Sequence, residues 1–372
     1  MDRREFLAAI AAMPALNVQD PRPTPKYHVV SSYKPAPLPG MPGSYPGQVV
    51  TVHSPNCIDV ATEKVDTPTV RAMMARGMTT LTGDKDVRDS WARLFNAQDF
   101  VGIKVNCVGG PAVVSAPEVV GEIAAQLVAV GVKPANIVVY DRASAQLQHL
   151  GYDKVVPAGT RVESGSTWLG FDPDVYVETT FFGEDDTRSF LLRMITQQFT
   201  KIVNVPNMKD HGASGVTGCL KNVAYGGFNN VDRSHYYAHT DTLTYIGTLA
   251  NVEPVRSRTV LNIMDGLRGV WHAGPFSRDK RYRFFPKQMK FGTDPVAIDR
   301  FLLDVIDNKR KQEGAISVWE RDLKYYSTKL DDWQANPNVN RFIREPGHIE
   351  YASRLGLGIY DTSKIRHTEI TI

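Results

Sequence analysis

The residues between Asn204 and Asn222 concentrate groups that bind anions and move protons: Lys209, His211, Thr217 and Lys221, interleaved with Gly212, Gly215 and Gly218. Glycines let a backbone approach a ligand closely, N–H groups at a helix start favour negative charge, and lysines add point charges. The stretch follows an apolar run and precedes a helical one, so it reads as a loop for a phosphate or carboxylate, held by Lys221, Asn222 and Thr217. It lacks the G-x-x-x-x-G-K-S/T spacing of a nucleotide loop, and the chain has neither a G-x-G-x-x-G fingerprint nor a G-x-S-x-G elbow. A histidine beside two lysines titrates low, which leaves His211 neutral and suited to giving or taking a proton, with Lys209 as its catalytic neighbour.

A second group follows: Asp232, His235, His239 and Asp241. If residues 232–250 form one helix, His235 and His239 at i, i+4 share a face, a spacing that suits a divalent metal. His211 and His272 are further nitrogen donors on other loops. The competing reading is a set of surface or hydrogen-bonded histidines.

These groups need a scaffold. Residues 100–106 alternate like a strand, and Ile137–Tyr140, Lys201–Val205 and Val260–Met264 are short apolar runs that end in polar residues. Between the first two lies a helix, with Ser115-Ala116-Pro117-Glu118 at capping-box spacing and Gly131 placed to stop it. This is a βαβ unit, and the fold it predicts is α/β: a mostly parallel, mixed central sheet with helices on both faces, in Rossmann-like layers. The carboxyl ends of such strands line a binding crevice, so Lys104, Asn106, Asp141, Asn204 and Asp265 are candidates to meet a ligand there. Ordinary turn and cap chemistry explains the same residue types. Asp294 before Pro295 caps a further helix and is a weaker candidate for the crevice.

The landmarks Gly102–Cys107, Val139–Arg142, Asn204–Asn222, Asn229–His235, Ile263–Leu267 and Thr293–Asp299 occur in an order that resembles the domain of unknown function 362 family. The resemblance spans about residues 48 to 320, and the family's chemistry is unsettled. Some members carry a ferredoxin-like cluster segment; Cys57, Cys107 and Cys219 are too few and too far apart for one, so no iron–sulfur cluster is expected. Buried small apolar cysteines are the expectation for all three.

Composition narrows the classes further. The 372 residues are 42% hydrophobic and 22% charged with a net charge of +3, and no run of like charge supports a nucleic-acid partner. No apolar stretch is long enough for a membrane span. Arg3-Arg4 leading to Phe6-Leu7 and the apolar run from Ala8 to Leu16 resemble a twin-arginine signal over residues 1–19, which makes the export machinery a partner and the periplasm the expected location, with the cytoplasm as alternative. Residues 20–47, proline-rich from Pro21 to Pro46, read as an extended linker. The α/β domain is expected over 48–320 and a C-terminal extension packed on it over 321–372. The function these features predict is an exported enzyme acting on a small anionic molecule, with metal assistance as a variant. The alternatives are a periplasmic binding or cofactor-handling protein and, least favoured, a structural surface protein.

Overall fold

The computed structural model describes residues 25–34, 40–143, 147–181, 185–235, 240–276 and 279–372; the twin-arginine stretch lies outside them, as does His239. In chain order the elements used below are β1 (His28–Val30), β2 (Gln48–His53), α1 (Thr67–Thr82), β3 (Val101–Val105), α2 (Pro117–Ala129), β4 (Ile137–Asp141), β5 (Arg161–Ser164), β6 (Phe171–Glu178), β7 (Arg188–Leu192), β8 (Lys201–Val205), β9 (Asn207–His211), β10 (Gly215–Val216), α3 (Gly218–Gly227), α4 (Thr242–Ala250), β11 (Thr259–Val270), β12 (Arg283–Phe284), β13 (Gln288–Gly292), α5 (Pro295–Gln312), α6 (Leu330–Ala335), α7 (His348–Arg354) and β14 (Arg366–Thr371).

Apolar runs buried on both faces become the middle strands of a parallel sheet, because helices must cover both sides. The main sheet follows the order β14-β2-β13-β11-β8-β3-β4-β5. The block from β11 to β5 is parallel; β13 is antiparallel to both its neighbours, and β14 runs parallel to β2. The expected mixed, mostly parallel sheet is therefore present. Strand alternation sorts its side chains into two layers. Val101, Ile103, Val105, Val139 and Val203 pack with residues of α1 and α2, whereas Val138, Tyr140, Ile202 and Met264 pack with residues of α3, α4, α5 and α7.

Strand order also fixes where a site can form. From β3 the chain proceeds outward through β4 to β5, and later returns to the other side of β3 through β8 and β11. The order reverses between β3 and β8, and such a reversal opens a crevice beyond the carboxyl ends of the two strands. The crevice described below lies there.

The helix signals hold unevenly. Asp294 caps α5 by accepting from Ala297 N at 2.9 Å, and it also accepts from Gly47 N and Ile359 N, so it ties three segments together in the core. The capping box expected at Ser115 does not form. The N-cap of α2 is Ala116, whose N–H donates to Asp265 at 2.7 Å, while Ser115 Oγ donates to Val205 O and accepts from Asn106 N. A carboxylate from β11 supplies the cap that a local serine was expected to supply. Residues 232–250 are not one helix: a 3-10 turn covers Asp232–His235, and α4 starts only at Thr242.

The described parts of the arm before Gln48 pack on the body. β1 pairs antiparallel with β6, and Met41 enters the core. At the other end, β14 completes the sheet, and Arg344 is buried against Asp210. Cys57, Cys107 and Cys219 are buried free thiols. No helix among the described residues is long and apolar enough to cross a membrane.

Candidate functional site

Lys104 lies on β3, on the face opposite Ile103, and points toward α3. Its position there depends on Gly226, since a side chain on that helical residue would collide with the lysine Cε and Nζ. The ammonium pairs with Asp141 Oδ1 at 3.0 Å and donates to Asn222 Oδ1 at 3.1 Å. Asn106 donates to the same Asn222 oxygen, and Asn222 Nδ2 donates to Asn204 Oδ1, whose own Nδ2 reaches Asn262 Oδ1 at 2.8 Å. This relay of amides bolts α3 across the ends of β3, β8 and β11. Burial pushes the Asp141 carboxyl up, but the Lys104 ammonium and the N–H groups of Cys107 and Arg142 more than offset it, so its pKa lies below the ordinary value.

Above this floor is a cavity of about 350 Å³. It brings together Lys104, Asn106, Asp141, His211, Thr217, Lys221, Asn222 and His235 from four separate parts of the chain. The other candidates stand behind the wall. Lys209 is fully buried, donates to Asn106 Oδ1 at 2.8 Å and to Val108 O, and supports the floor from beneath; burial lowers its pKa to about 7. Asn204 belongs to the amide relay, Asp265 caps α2, and Asp294 caps α5.

The α3 start is already neutralised. Asp299, from α5, accepts from Cys219 N at 2.6 Å and Leu220 N at 2.9 Å, and Gly218 takes a left-handed φ of 63° that brings the carboxylate close. The expectation that helix N–H groups hold an anion is therefore corrected: an internal carboxylate occupies them, and anion recognition falls to side chains.

Those side chains are well placed. Lys221 is 8% exposed, its Nζ sits 4.1 Å over the Tyr225 ring, and among the described residues it has no hydrogen-bond or ion-pair partner. Burial lowers its pKa to about 7. Thr217 Oγ1, Trp333 Nε1 and His235 Nε2 are also buried without a partner, and their residues all line the cavity. A buried polar atom left unpaired costs about 1–3 kcal/mol, so a cluster around one cavity marks a surface made for a polar molecule. Arg142 and Arg341 join Lys104 and Lys221 on the wall, against the carboxylates Asp141 and Asp232. Cations outnumber anions.

His211 and His235 adopt complementary forms. His211 Nδ1 accepts from Ala213 N at 3.1 Å and Ser214 N at 3.2 Å, which puts the neutral ring's proton on Nε2. His235 Nδ1 lies 3.3 Å from Asp232 O, an acceptor only, which leaves Nε2 a free lone pair. Burial first, then the Lys221 charge, holds both rings well below the ordinary histidine value. Their centroids are 5.2 Å apart, so the wall carries one nitrogen donor beside one nitrogen acceptor.

His239, the second histidine of the metal reading, lies outside the described residues; the 3-10 turn at Asp232–His235 and the start of α4 at Thr242 show that residues 232–250 are not one helix, and among the described residues no three His, Cys, Asp or Glu side chains converge. His272 is held elsewhere, with Nε2 at 2.7 Å from Trp333 O and Nδ1 at 3.3 Å from Arg310. The sequence reading missed Arg142, Tyr225, Trp333, Arg341 and Phe342 as site residues. Arg142 directly follows the candidate Asp141, a signal that was available; the last three come from the C-terminal extension, which folds over the crevice as its outer wall.

A doubly wound α/β protein with a cationic crevice at its strand-order reversal is the class that fold and site define. The chain belongs to the family described as Domain of unknown function (DUF362), whose profile matches residues 101–304, more than half its length. That span contains the floor, both histidines and Lys221, but not Trp333, Arg341 or Phe342. No curated protein matches the chain.

Proposed function

We propose that the crevice binds a small anionic molecule and that the protein is an enzyme acting on it, with His211 Nε2–H as hydrogen-bond donor and His235 Nε2 as proton acceptor. The observation that carries this reading is Lys221, a buried amine with no ion-pair partner among the described residues, in a cavity whose wall also carries Arg142 and Arg341 and where Asp232 is the carboxylate that acts on it from a distance. The donor and acceptor nitrogens beside it are what proton transfer on a bound anion requires. Lys104 and Asp141 neutralise each other and serve to position Asn222.

Calorimetric titration with citrate and with inorganic phosphate tests the binding. Arg341→Ala should weaken the better of the two by about 10-fold or more, the effect of losing a charge-assisted hydrogen bond. Affinity should also fall between pH 6 and pH 8, because Lys221 is charged below about 7 and neutral above it. Equal affinity in the variant and at both pH values would sink the anion site. Once a substrate is in hand, His211→Ala should lose turnover and keep the ligand; binding without turnover of any candidate would make the protein a carrier instead.

We further propose export through the twin-arginine route, on the strength of Arg3-Arg4-Glu5-Phe6-Leu7. A reporter fused after residue 47 should reach the periplasm, and an Arg3→Lys, Arg4→Lys pair should abolish its transport. Transport that survives the double change would remove this reading.

A further inference from the structure

Three lysines stand in or behind the crevice, and their partners separate them chemically. Lys104 is locked in an ion pair with Asp141 at 3.0 Å. Lys209 points away from the cavity into Asn106 and the Val108 carbonyl. Lys221 alone of the three lines the cavity with no hydrogen-bond or ion-pair partner for its Nζ among the described residues, and it rests on the face of Tyr225. A buried amine without a carboxylate in contact, and with Arg142 opposing the distant Asp232, is close to the form in which lysine attacks carbonyl carbon.

The neighbours supply what such an attack needs. His235 Nε2 is a free acceptor for the proton the amine must lose, and its Nδ1 is tied to the backbone, so the lone pair is fixed in place. His211 Nε2–H is a donor for the oxygen that gains charge as the carbonyl opens. Arg142 and Arg341 offer planar, bidentate contact to an acidic substituent next to the carbonyl.

We propose that Lys221 forms a Schiff base with a small 2-oxo acid held in this crevice, a proposal that rests on the anion-site reading above. The ammonium gives one proton to His235, the freed lone pair forms the C–N bond, and the carbonyl π electrons move to oxygen. The second nitrogen proton passes to that oxygen to give the carbinolamine. The proton on His235 then goes to the hydroxyl, the C–O bond breaks, water leaves, and the nitrogen lone pair closes the protonated imine. Ammonium plus carbonyl thus becomes iminium plus one water, with charge and atoms conserved and no outside oxidant or reductant.

Borohydride trapping on the full-length protein tests the step. Pyruvate and 2-oxoglutarate are the probes, and lactate, which keeps the carboxylate and lacks the carbonyl, is the control. The expected result is a borohydride-dependent adduct approaching one per chain with one of the two oxo acids, mapped by peptide mass spectrometry to Lys221, and lost in Lys221→Met. Its yield should rise as pH passes through about 7, the opposite of anion affinity, because the neutral amine is the nucleophile. No adduct, or one spread over surface lysines, overturns the proposal, and the wild-type peptide map gives that answer even if the variant misfolds. Saturable binding of lactate or citrate in the same preparation would then leave the anion site standing; loss of both binding and adduct would remove the two readings together.

Discussion

Asp210→Ala is expected to cost the fold about 3–5 kcal/mol, the penalty of leaving buried charge uncompensated. Asp210 Oδ2 lies 3.2 Å from Arg344 and 3.6 Å from Arg310, all three side chains have no exposed surface, and Asp210 Oδ1 accepts from Gly274 N at 2.6 Å. Burial lowers both arginines, Arg310 to about 9, and Asp210, with Asp307 as a weaker second, is the nearby charge that resists this. Without it two guanidiniums face each other in a low-dielectric interior. Arg310 would keep its bonds to the Ile316, Trp271 and Pro337 carbonyls, and Arg344 its bond to Asn340, so the damage should centre on the C-terminal wall that Arg344 anchors. Urea unfolding should show the lowered midpoint, and binding of citrate should weaken in parallel, since Arg341 and Phe342 sit on that wall. Replacing all three charges at once, with Asp210→Leu, Arg310→Met and Arg344→Met, should recover much of the loss, because well-packed apolar groups of similar volume often match a buried ion pair. A single Asp210→Ala variant within about 1 kcal/mol of the parent would show that the charges do not hold the wall.

The same segment marks where sequence reading stops. Strands β3, β4, β8 and β11 are legible because each is a short apolar run closed by Asn or Asp, and the α5 start is legible because Asp294-Pro295 carries its own cap. From these the crevice follows by topology, and eight of the candidate residues do meet in it. What is illegible depends on contacts between distant residues. Nothing near Cys219 announces that Asp299, 80 positions later, takes the α3 N–H groups, and nothing near Ser115 announces that Asp265 displaces it as a cap. The i, i+4 spacing of His235 and His239 is a local pattern that implies a shared face only in a continuous helix, and residues 232–250 are not one: Asp232–His235 form a 3-10 turn and α4 starts at Thr242. Lys209 and Lys221 look alike in the motif. Strand β9 sends the first beneath the floor, whereas α3 turns the second into the cavity, a distinction that only the fold makes.

Acid should destabilise the protein well before its surface carboxylates are neutralised. His272 and His348 are both fully buried, and burial, the largest cause in each, lowers their pKa values to about 4. A group whose folded pKa lies below its unfolded value near 6.5 binds fewer protons when folded, so its stability contribution is complete above about pH 6.5 and is lost as pH falls toward 4. At about 1.4 kcal/mol per pH unit over that window, each ring can remove on the order of 3 kcal/mol. The geometry gives the cause. A second proton on His272 would sit on the Nδ1 that faces the Arg310 guanidinium at 3.3 Å, and one on His348 would sit on Nε2, which has no acceptor. His211 and His235 shift in the same direction, so protonating the crevice adds to the effect. Urea midpoints at pH 7 and pH 5 should therefore differ strongly in the parent, and His348→Asn should reduce that difference while lowering stability at pH 7 by less. A variant that kept the parent's full pH dependence would clear His348 and leave the acid sensitivity to His272 and to the crevice pair His211 and His235, all lowered by burial.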